Sequence, residues 1–111
     1  MSKKILGQRN PALATVETLY TVPASKEAVV STISVANTTA VAATFRLILQ
    51  PSADVSATIL TKQYLAYDIT VGASDSTVIT IGITMATGDV IKVYASTATI
   101  AFQAFGDEAA V

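Results

Sequence analysis

The main candidates for acid–base chemistry in this sequence are its eight acidic side chains, because it contains no histidine and no cysteine, and a serine–lysine pair would need a buried lysine. The commonest general base, the commonest transition-metal ligands and the thiolate nucleophile are therefore all missing. A glycosidase needs two carboxylates about 5 to 9 Å apart in a cleft, yet most of the acidic residues fall at predicted turns or near the termini. We therefore predict that these acidic residues are turn residues in contact with solvent and that the protein is not an enzyme. The acidic residues are Glu17, Glu27, Asp54, Asp68, Asp75, Asp89, Asp107 and Glu108.

Cofactor and metal binding are not predicted either. The five glycines lie too far apart for a dinucleotide-binding G-x-G-x-x-G motif or a phosphate-binding P-loop. Four aspartates would supply oxygen ligands to calcium if loops brought them together, but the D-x-D-x-D-G pattern of a calcium loop is missing. The expected cofactor complement is none.

The charge of the chain is low and evenly spread, with 14% charged residues and a formal net charge of −1. The seven basic residues are dispersed, whereas nucleic-acid-binding proteins cluster theirs, so we predict no nucleic-acid partner. The longest uncharged stretch, residues 28–45, is too polar for a membrane-spanning helix. Residues 1–9 contain no apolar segment of signal-peptide length. A typical globular protein has about 25% charged residues, so this composition favours a surface that is buried against partners.

Alternation of β-branched and aromatic residues with polar ones predicts strands along most of the chain. The clearest run is Thr77–Thr84, in which three isoleucines share one face. Residues 43–49 alternate in the same way and place Arg46 on the more exposed face. Turns rich in Pro, Gly, Asn, Asp and Ser separate these runs. Further strands are predicted at residues 16–22, 27–36, 62–69, 89–96 and 99–106, with a short one near residues 4–8.

These elements predict an all-β fold, an antiparallel and jelly-roll-like β-sandwich of about seven to eight short strands. A small closed barrel is the nearest alternative. Residues 50–61 form a linker with Pro51 near its start, and this linker is long enough to cross from one sheet to the other. Residues 1–14 are predicted to be an N-terminal arm, residues 15–108 the sandwich domain and residues 109–111 a C-terminal tail.

Aromatic residues are candidates for an interaction surface, since exposed tyrosines are frequent in protein interfaces and in sugar-binding sites. Tyr64 and Tyr67 lie three residues apart on a predicted strand, so we expect them to face opposite ways. That expectation disfavours a platform of two tyrosines, and we select Tyr67 as the exposed candidate. Phe102 and Phe105 divide between faces in the same way; Phe102 suits the core, and Phe105 is the predicted interface anchor.

Eight short segments between Lys4 and Glu108 carry a resemblance to a known class of proteins. They are Lys4–Gln8 (KILGQ), Leu19–Ala24 (LYTVPA), Val29–Asn37 (VVSTISVAN), Thr44–Arg46 (TFR), Ile81–Thr84 (IGIT), Thr87–Val90 (TGDV), Val93–Ser96 (VYAS) and Phe105–Gly106 (FG). Together these segments resemble small virion structural proteins of tailed bacteriophages.

The resemblance implies a non-enzymatic component of the virion that is assembled in the host cytoplasm. Among such components, we expect a capsid decoration or cement protein that binds across major capsid subunits and stabilises the shell by mass action. It also implies a homo-oligomer, with a trimer favoured. The alternative is a tail, neck or baseplate accessory module that binds the host or a carbohydrate, for which exposed Tyr20, Tyr67 or Tyr94 would be the signature.

The predicted N-terminal arm has a functional interpretation of its own. Leu6, Arg9 and Pro11 would help it to add a strand to the exposed sheet edge of a neighbouring subunit, through main-chain hydrogen bonds. A simply disordered arm is the alternative interpretation. Together with Tyr67 and Phe105, these three residues are the candidate interface residues.

Overall fold

The structure is a computed structural model that describes residues 2–111. It contains eight strands, as the alternation predicts, and three of them reach 10 to 12 residues, longer than the short strands expected. Two short 3-10 turns, Ser52–Asp54 and Thr61–Gln63, are the helical segments of the described chain. The strands are β1 (Ser2–Arg9), β2 (Glu17–Thr21), β3 (Lys26–Asn37), β4 (Ala43–Gln50), β5 (Tyr64–Val71), β6 (Ser76–Met85), β7 (Val90–Ala95) and β8 (Ile100–Ala110).

The strands form two four-stranded antiparallel sheets that pack as a sandwich. Sheet 1 has the order β1-β8-β3-β6, and sheet 2 has the order β2-β7-β4-β5. Consecutive strands alternate between the sheets, except that β4 and β5 are neighbours in sheet 2. This is the strand order of a jelly roll. The predicted sandwich is therefore confirmed, and because each sheet keeps two free edges, the chain does not form a closed barrel.

The core lies between the sheets and is built from the alternating apolar residues of both. Phe45 of sheet 2 and Phe102 of sheet 1 are fully buried, and their rings meet edge to face with centroids 6.0 Å apart. Full burial of one such side chain stabilises the fold by about 2 to 3 kcal/mol. Ile100 and Ala104 flank Phe102 on β8 and are also fully buried. The predicted core face of this strand is thus confirmed.

A buried asparagine ties together the loops at one end of the sandwich. The Asn37 side chain is 4% exposed, and its Nδ2 donates hydrogen bonds to the carbonyl oxygens of Val41 at 2.8 Å and Gly72 at 3.2 Å. Its Oδ1 accepts the backbone N–H of Thr39 at 3.1 Å. The connection between β3 and β4 therefore depends on this side chain, because it pairs backbone groups that the strands leave without partners.

The two ends of the described chain lie within the sandwich, which differs from the predicted arm and tail. β1 occupies residues 2–9 of the predicted arm and pairs with β8 along its length. β8 continues past residue 108, and its Ala110 pairs with Lys26 of β3. The physical reason is that β8 is an inner strand of sheet 1, whose backbone groups need partners on both sides. The predicted boundaries at residues 14 and 108 are therefore corrected.

The linker between β4 and β5 does not cross between sheets, since these two strands pair with each other. Instead it folds over the outer face of sheet 2 and covers Ile48 and Gln50, both fully buried. Gln50 Nε2 donates to the backbone oxygen of Ser56 at 3.1 Å and to Gln63 Oε1 at 3.0 Å. Lys92 Nζ donates to the same Ser56 oxygen at 2.8 Å. These side-chain bonds hold the linker against the sheet from which it started.

Candidate interaction surfaces

The three candidates from the predicted arm contact the rest of the chain. Leu6 is partly buried against the core, and Pro11 is buried. Arg9 remains exposed, but its Nε donates to the backbone oxygen of Thr18 at 3.0 Å, and a terminal guanidinium nitrogen lies 3.5 Å from Glu17 Oε1. The contacts of Arg9 join β1 to β2 at one side of the sandwich. Because Leu6 and Pro11 are packed into the sandwich, they serve the fold of this chain.

The other two candidates lie on opposite outer faces of the sandwich. Phe105 lies on the outer face of sheet 1, where it is half-buried, and the register places it directly opposite Ile5. The Ile5 side chain is 56% exposed. Tyr67, 55% exposed, lies on β5 in sheet 2. The structure therefore does not bring the five candidates together; Ile5 and Phe105 form what we call the sheet 1 patch.

The outer face of sheet 2 presents a cluster of aromatic and charged side chains. The register places Arg46 of β4 directly beside Tyr94 of β7. The guanidinium carbon of Arg46 lies 4.2 Å from the ring centroid of Tyr67 and 4.3 Å from that of Tyr94. Asp68 accepts hydrogen bonds from Arg46 at 2.7 and 3.4 Å, and this bonding raises the pKa of the arginine. The positive charge is thus held between two rings and one carboxylate.

The prediction that Tyr64 and Tyr67 face opposite ways is wrong. Their rings meet edge to face with centroids 4.9 Å apart. The reason is that β5 contains two bulges, so that Tyr67 and Asp68 together lie opposite the single residue Arg46. A bulge breaks the period-2 alternation and moves the next side chains to the other face. Tyr64 therefore joins Arg46, Tyr67, Asp68 and Tyr94 in what we call the tyrosine–arginine cluster.

Tyr20, a candidate for exposure, is instead part of a buried polar group between the sheets. It is 6% exposed, and its hydroxyl donates to the carboxylate of Glu108, which also pairs with Lys4 Nζ at 2.5 Å. Burial, reinforced by this carboxylate, raises the pKa of Tyr20. The hydrogen bonds from Lys4 and then Tyr20 lower the pKa of Glu108 and outweigh its burial. The group connects β2 of sheet 2 with β1 and β8 of sheet 1.

Several other carboxylates hold turns and strands in place. Asp89 accepts the backbone N–H groups of Ser52 and Ala86, each at 2.9 Å. Glu17 accepts the N–H of Ala12 at 2.7 Å. Among residues 2–111, no group of three or more acidic side chains is placed to hold a metal ion. In the same range, no helix has the length and apolar character needed to cross a membrane.

Comparison with known proteins identified no relative of this chain. No protein-family model matches it, and no curated protein or solved structure matches it significantly. The surfaces themselves are therefore the basis on which a function can be proposed. The sequence identifies Tyr67 and Phe105 as single candidate residues. It does not reveal that Tyr67 belongs to the tyrosine–arginine cluster, because no signal in a single sequence marks the two bulges of β5.

Proposed function

We propose that this chain is a non-enzymatic structural protein of a tailed-bacteriophage virion, a capsid decoration or cement protein. In this role it binds across neighbouring major capsid subunits as a homo-oligomer and stabilises the shell because it has affinity for the assembled form alone. The eight segments that resemble phage virion proteins support the virion context. The observation that carries the binding role is the sheet 1 patch, which leaves Ile5 56% exposed beside Phe105.

The sheet 1 patch suits an interface because it combines apolar side chains with a charged margin. Lys3 and Asp107 lie beside Ile5 and Phe105 in an open surface depression. Protein interfaces commonly have this composition, with an apolar centre and a polar rim. The inner face of sheet 1 already supplies the core of the sandwich, so the patch is available to a partner.

Cryo-electron microscopy of the virion that carries this chain is the direct test. We expect copies of the sandwich to lie on the capsid lattice, where capsid subunits meet, with sheet 1 towards the shell. Copies confined to the neck, tail or baseplate would contradict the decoration role and favour the accessory-module alternative.

A substitution in the sheet 1 patch tests the interface separately from the location. Phe105→Ser should weaken binding to capsid shells by about tenfold or more, because it removes apolar area at the centre of the patch. Co-sedimentation of the purified chain with undecorated shells measures this affinity. Leu13→Ser is the matched control, since Leu13 is 62% exposed but lies in the loop between β1 and β2. If Phe105→Ser unfolds the domain, as judged by circular dichroism, the residue belongs to the core and the proposed patch is wrong.

The tyrosine–arginine cluster favours the alternative function, a tail, neck or baseplate module that binds carbohydrate. Tyr64 and Tyr67 line a surface groove with Ile59 and Thr61, and aromatic rings beside hydroxyl groups are common in sugar-binding sites. A glycan-array screen of the purified chain tests this alternative. Binding that Tyr67→Ala abolishes would support it, and no binding to any glycan would leave the decoration role as the better account.

A further inference from the structure

Four strands have one edge without a hydrogen-bonded neighbour in the described part of the chain. They are β1 and β6 in sheet 1, and β2 and β5 in sheet 2. Such an edge presents unpaired N–H and C=O groups that can pair with a strand from another molecule. Proteins commonly prevent this pairing with charged residues, bulges, proline or very short edge strands.

Three of these four edges carry such protection. β1 contains Lys3, Lys4 and Arg9, and its register against β8 is interrupted by a bulge. β2 is only five residues long and is also irregular against β7. β5 contains two bulges and the charged residue Asp68. These features make it difficult for a second molecule to extend either sheet at β1, β2 or β5.

The edge of β6 is the least protected of the four, with one bulge and no charge. Its ten residues include no charged residue and no proline. Its one register shift against β3 lies between Thr80 and Ile83, so that Ser76–Thr80 is a regular run. An edge that is long, apolar and uncharged is the kind most prone to pair with another strand.

The core is also open at the β6 side of the sandwich. β5 and β6 are the last strands of their sheets on this side, opposite the side where β1 and β2 approach each other. Ile79 and Ile81 of β6 pack against the core but are only partly buried. Ile69 of β5 lies opposite the fully buried Phe45 in the register, yet it is 43% exposed. We call Ile69, Ile79 and Ile81, which face the core from β5 and β6, the open edge.

We propose that two copies of this chain pair antiparallel through β6, about a twofold axis. The two copies of sheet 1 then form one continuous eight-stranded sheet, and the isoleucines of each open edge lose contact with water. This arrangement pairs the free backbone groups of β6 and buries apolar area in the same step. It is an isologous contact, in which both copies use the same surface.

The partner that we propose for the β6 edge is a second copy of this chain. In a pairing between copies, both partners must offer a weakly protected edge, and β6 is the least protected of the described edges. Because β6 carries no charge, its antiparallel self-pairing places no like charges opposite one another. The net charge of −1 also adds little repulsion between two whole molecules.

This pairing is independent of the virion role and differs from the trimer that the resemblance implies. A threefold arrangement requires two different surfaces on each copy, whereas the self-pairing of β6 requires one. The oligomeric state in solution therefore tests the pairing without reference to the virion. Absence of the chain from a capsid would contradict the proposed function and leave the pairing intact.

Sedimentation velocity of the purified chain from about 1 to 100 µM tests the proposal, since this range brackets the dissociation constants of ordinary specific dimers. The variant is Val78→Lys combined with Thr80→Lys, which places two charges on exposed positions of β6. The matched control is Leu13→Lys combined with Thr21→Lys, which makes the same charge change at exposed positions in the loop before β2 and at the end of β2. Circular dichroism establishes that both double variants are folded.

We expect the wild-type chain and the control to be dimers. The β6 variant should dimerise at least about tenfold more weakly, because like charges would meet across the shared strand. Amide hydrogen exchange of the wild-type chain gives an independent readout. Protection of the β6 amides should rise with protein concentration, while protection of the β1 amides should not change.

Three results would overturn the proposal. One is a wild-type chain that stays monomeric at the highest concentration, and another is a trimer. The third is a dimer that the β6 variant leaves unchanged. If the β6 variant fails to fold, the exchange experiment decides alone, and concentration-independent protection of β6 would contradict the pairing.

Discussion

Glu108 is an ionisable side chain in the interior, and its partners determine its effect on stability. It is 7% exposed, and the hydrogen bonds from Lys4 and Tyr20 lower its pKa. A carboxyl with a lower pKa in the folded state binds protons less readily than it does in the unfolded chain. Its stabilising contribution is therefore fully present at neutral pH, above the unfolded pKa, and is lost as the pH falls through the folded pKa.

Glu108→Gln should accordingly lower the free energy of unfolding at pH 7 by about 2 kcal/mol, the usual scale for a buried hydrogen bond to a charged group. The difference from wild type should be smaller at pH 3 than at pH 7, because the unfolded chain, in which this carboxyl has the higher pKa, then binds the proton more readily. Urea unfolding followed by circular dichroism at both pH values measures this. The exposed Glu27 supplies the control, since Glu27→Gln should change stability by less than about 0.5 kcal/mol. A difference for Glu108→Gln that stays constant with pH would contradict the role of its charge.

At the scale of elements, the bulges of sheet 1 decide how closely its strands approach. The registers of β3 against β8 and of β1 against β8 both shift near the middle of the strands. Next to the register shift between β3 and β8, Gly106 comes so close to β3 that an added Cβ would overlap the carbonyl oxygen of Val29. Gly7 of β1 meets the carbonyl oxygen of Leu19 in the same way. Glycine at these positions is required by close backbone contact.

Gly106→Ala should therefore lower the free energy of unfolding by about 3 kcal/mol, since the strands must separate to admit the methyl group. The matched control is Gly82→Ala in β6, where an added Cβ meets nothing within 4 Å. The control should change stability by less than about 1 kcal/mol and in the stabilising direction, because alanine restricts the unfolded chain. Thermal and urea denaturation compare the two variants, and equal losses would show that the close approach has no energetic consequence.

At the scale of the whole molecule, the topology makes folding depend on distant parts of the chain. β8 lies between β1 and β3, so that the last strand must insert between two earlier ones. The register places Ser2 opposite Glu108 and Lys26 opposite Ala110. The ends of the chain must therefore meet before sheet 1 is complete.

This topology predicts slow folding for a domain of 111 residues. Sandwiches dominated by pairings between distant residues fold in milliseconds to seconds, because loop-closure entropy is lost before the contacts compensate for it. Stopped-flow dilution from urea, with tyrosine fluorescence as the probe, should show refolding on this timescale. Completion of folding within microseconds would contradict the prediction.

The strands and the core faces of β4, β6 and β8 could be predicted from the sequence because the signal is local. Alternation in β6 places Ile79, Ile81 and Ile83 on one face whatever else the chain does, and Gly, Pro and Asp residues limit the strands. The same local logic assigned Phe102 to the core and Arg46 to the outer face, and both assignments are confirmed. An all-β fold follows from these patterns, whereas the choice of a sandwich over a closed barrel comes from the strand pairing.

Tertiary structure decided the bulges, the strand pairing and the buried polar contacts, because each of these depends on the neighbour of a strand. The alternation of β5 predicted opposite faces for Tyr64 and Tyr67, but a bulge exists only relative to the register with β4. The sequence predicted a short strand near residues 4–8 within an N-terminal arm, and this strand joins the sandwich because β8 offers an unpaired edge. Glu108 and Tyr20 are buried because the two sheets bring them together across the core. Local sequence carries the period of each strand, whereas register, edges and buried charge pairs come from contacts between residues far apart in the chain.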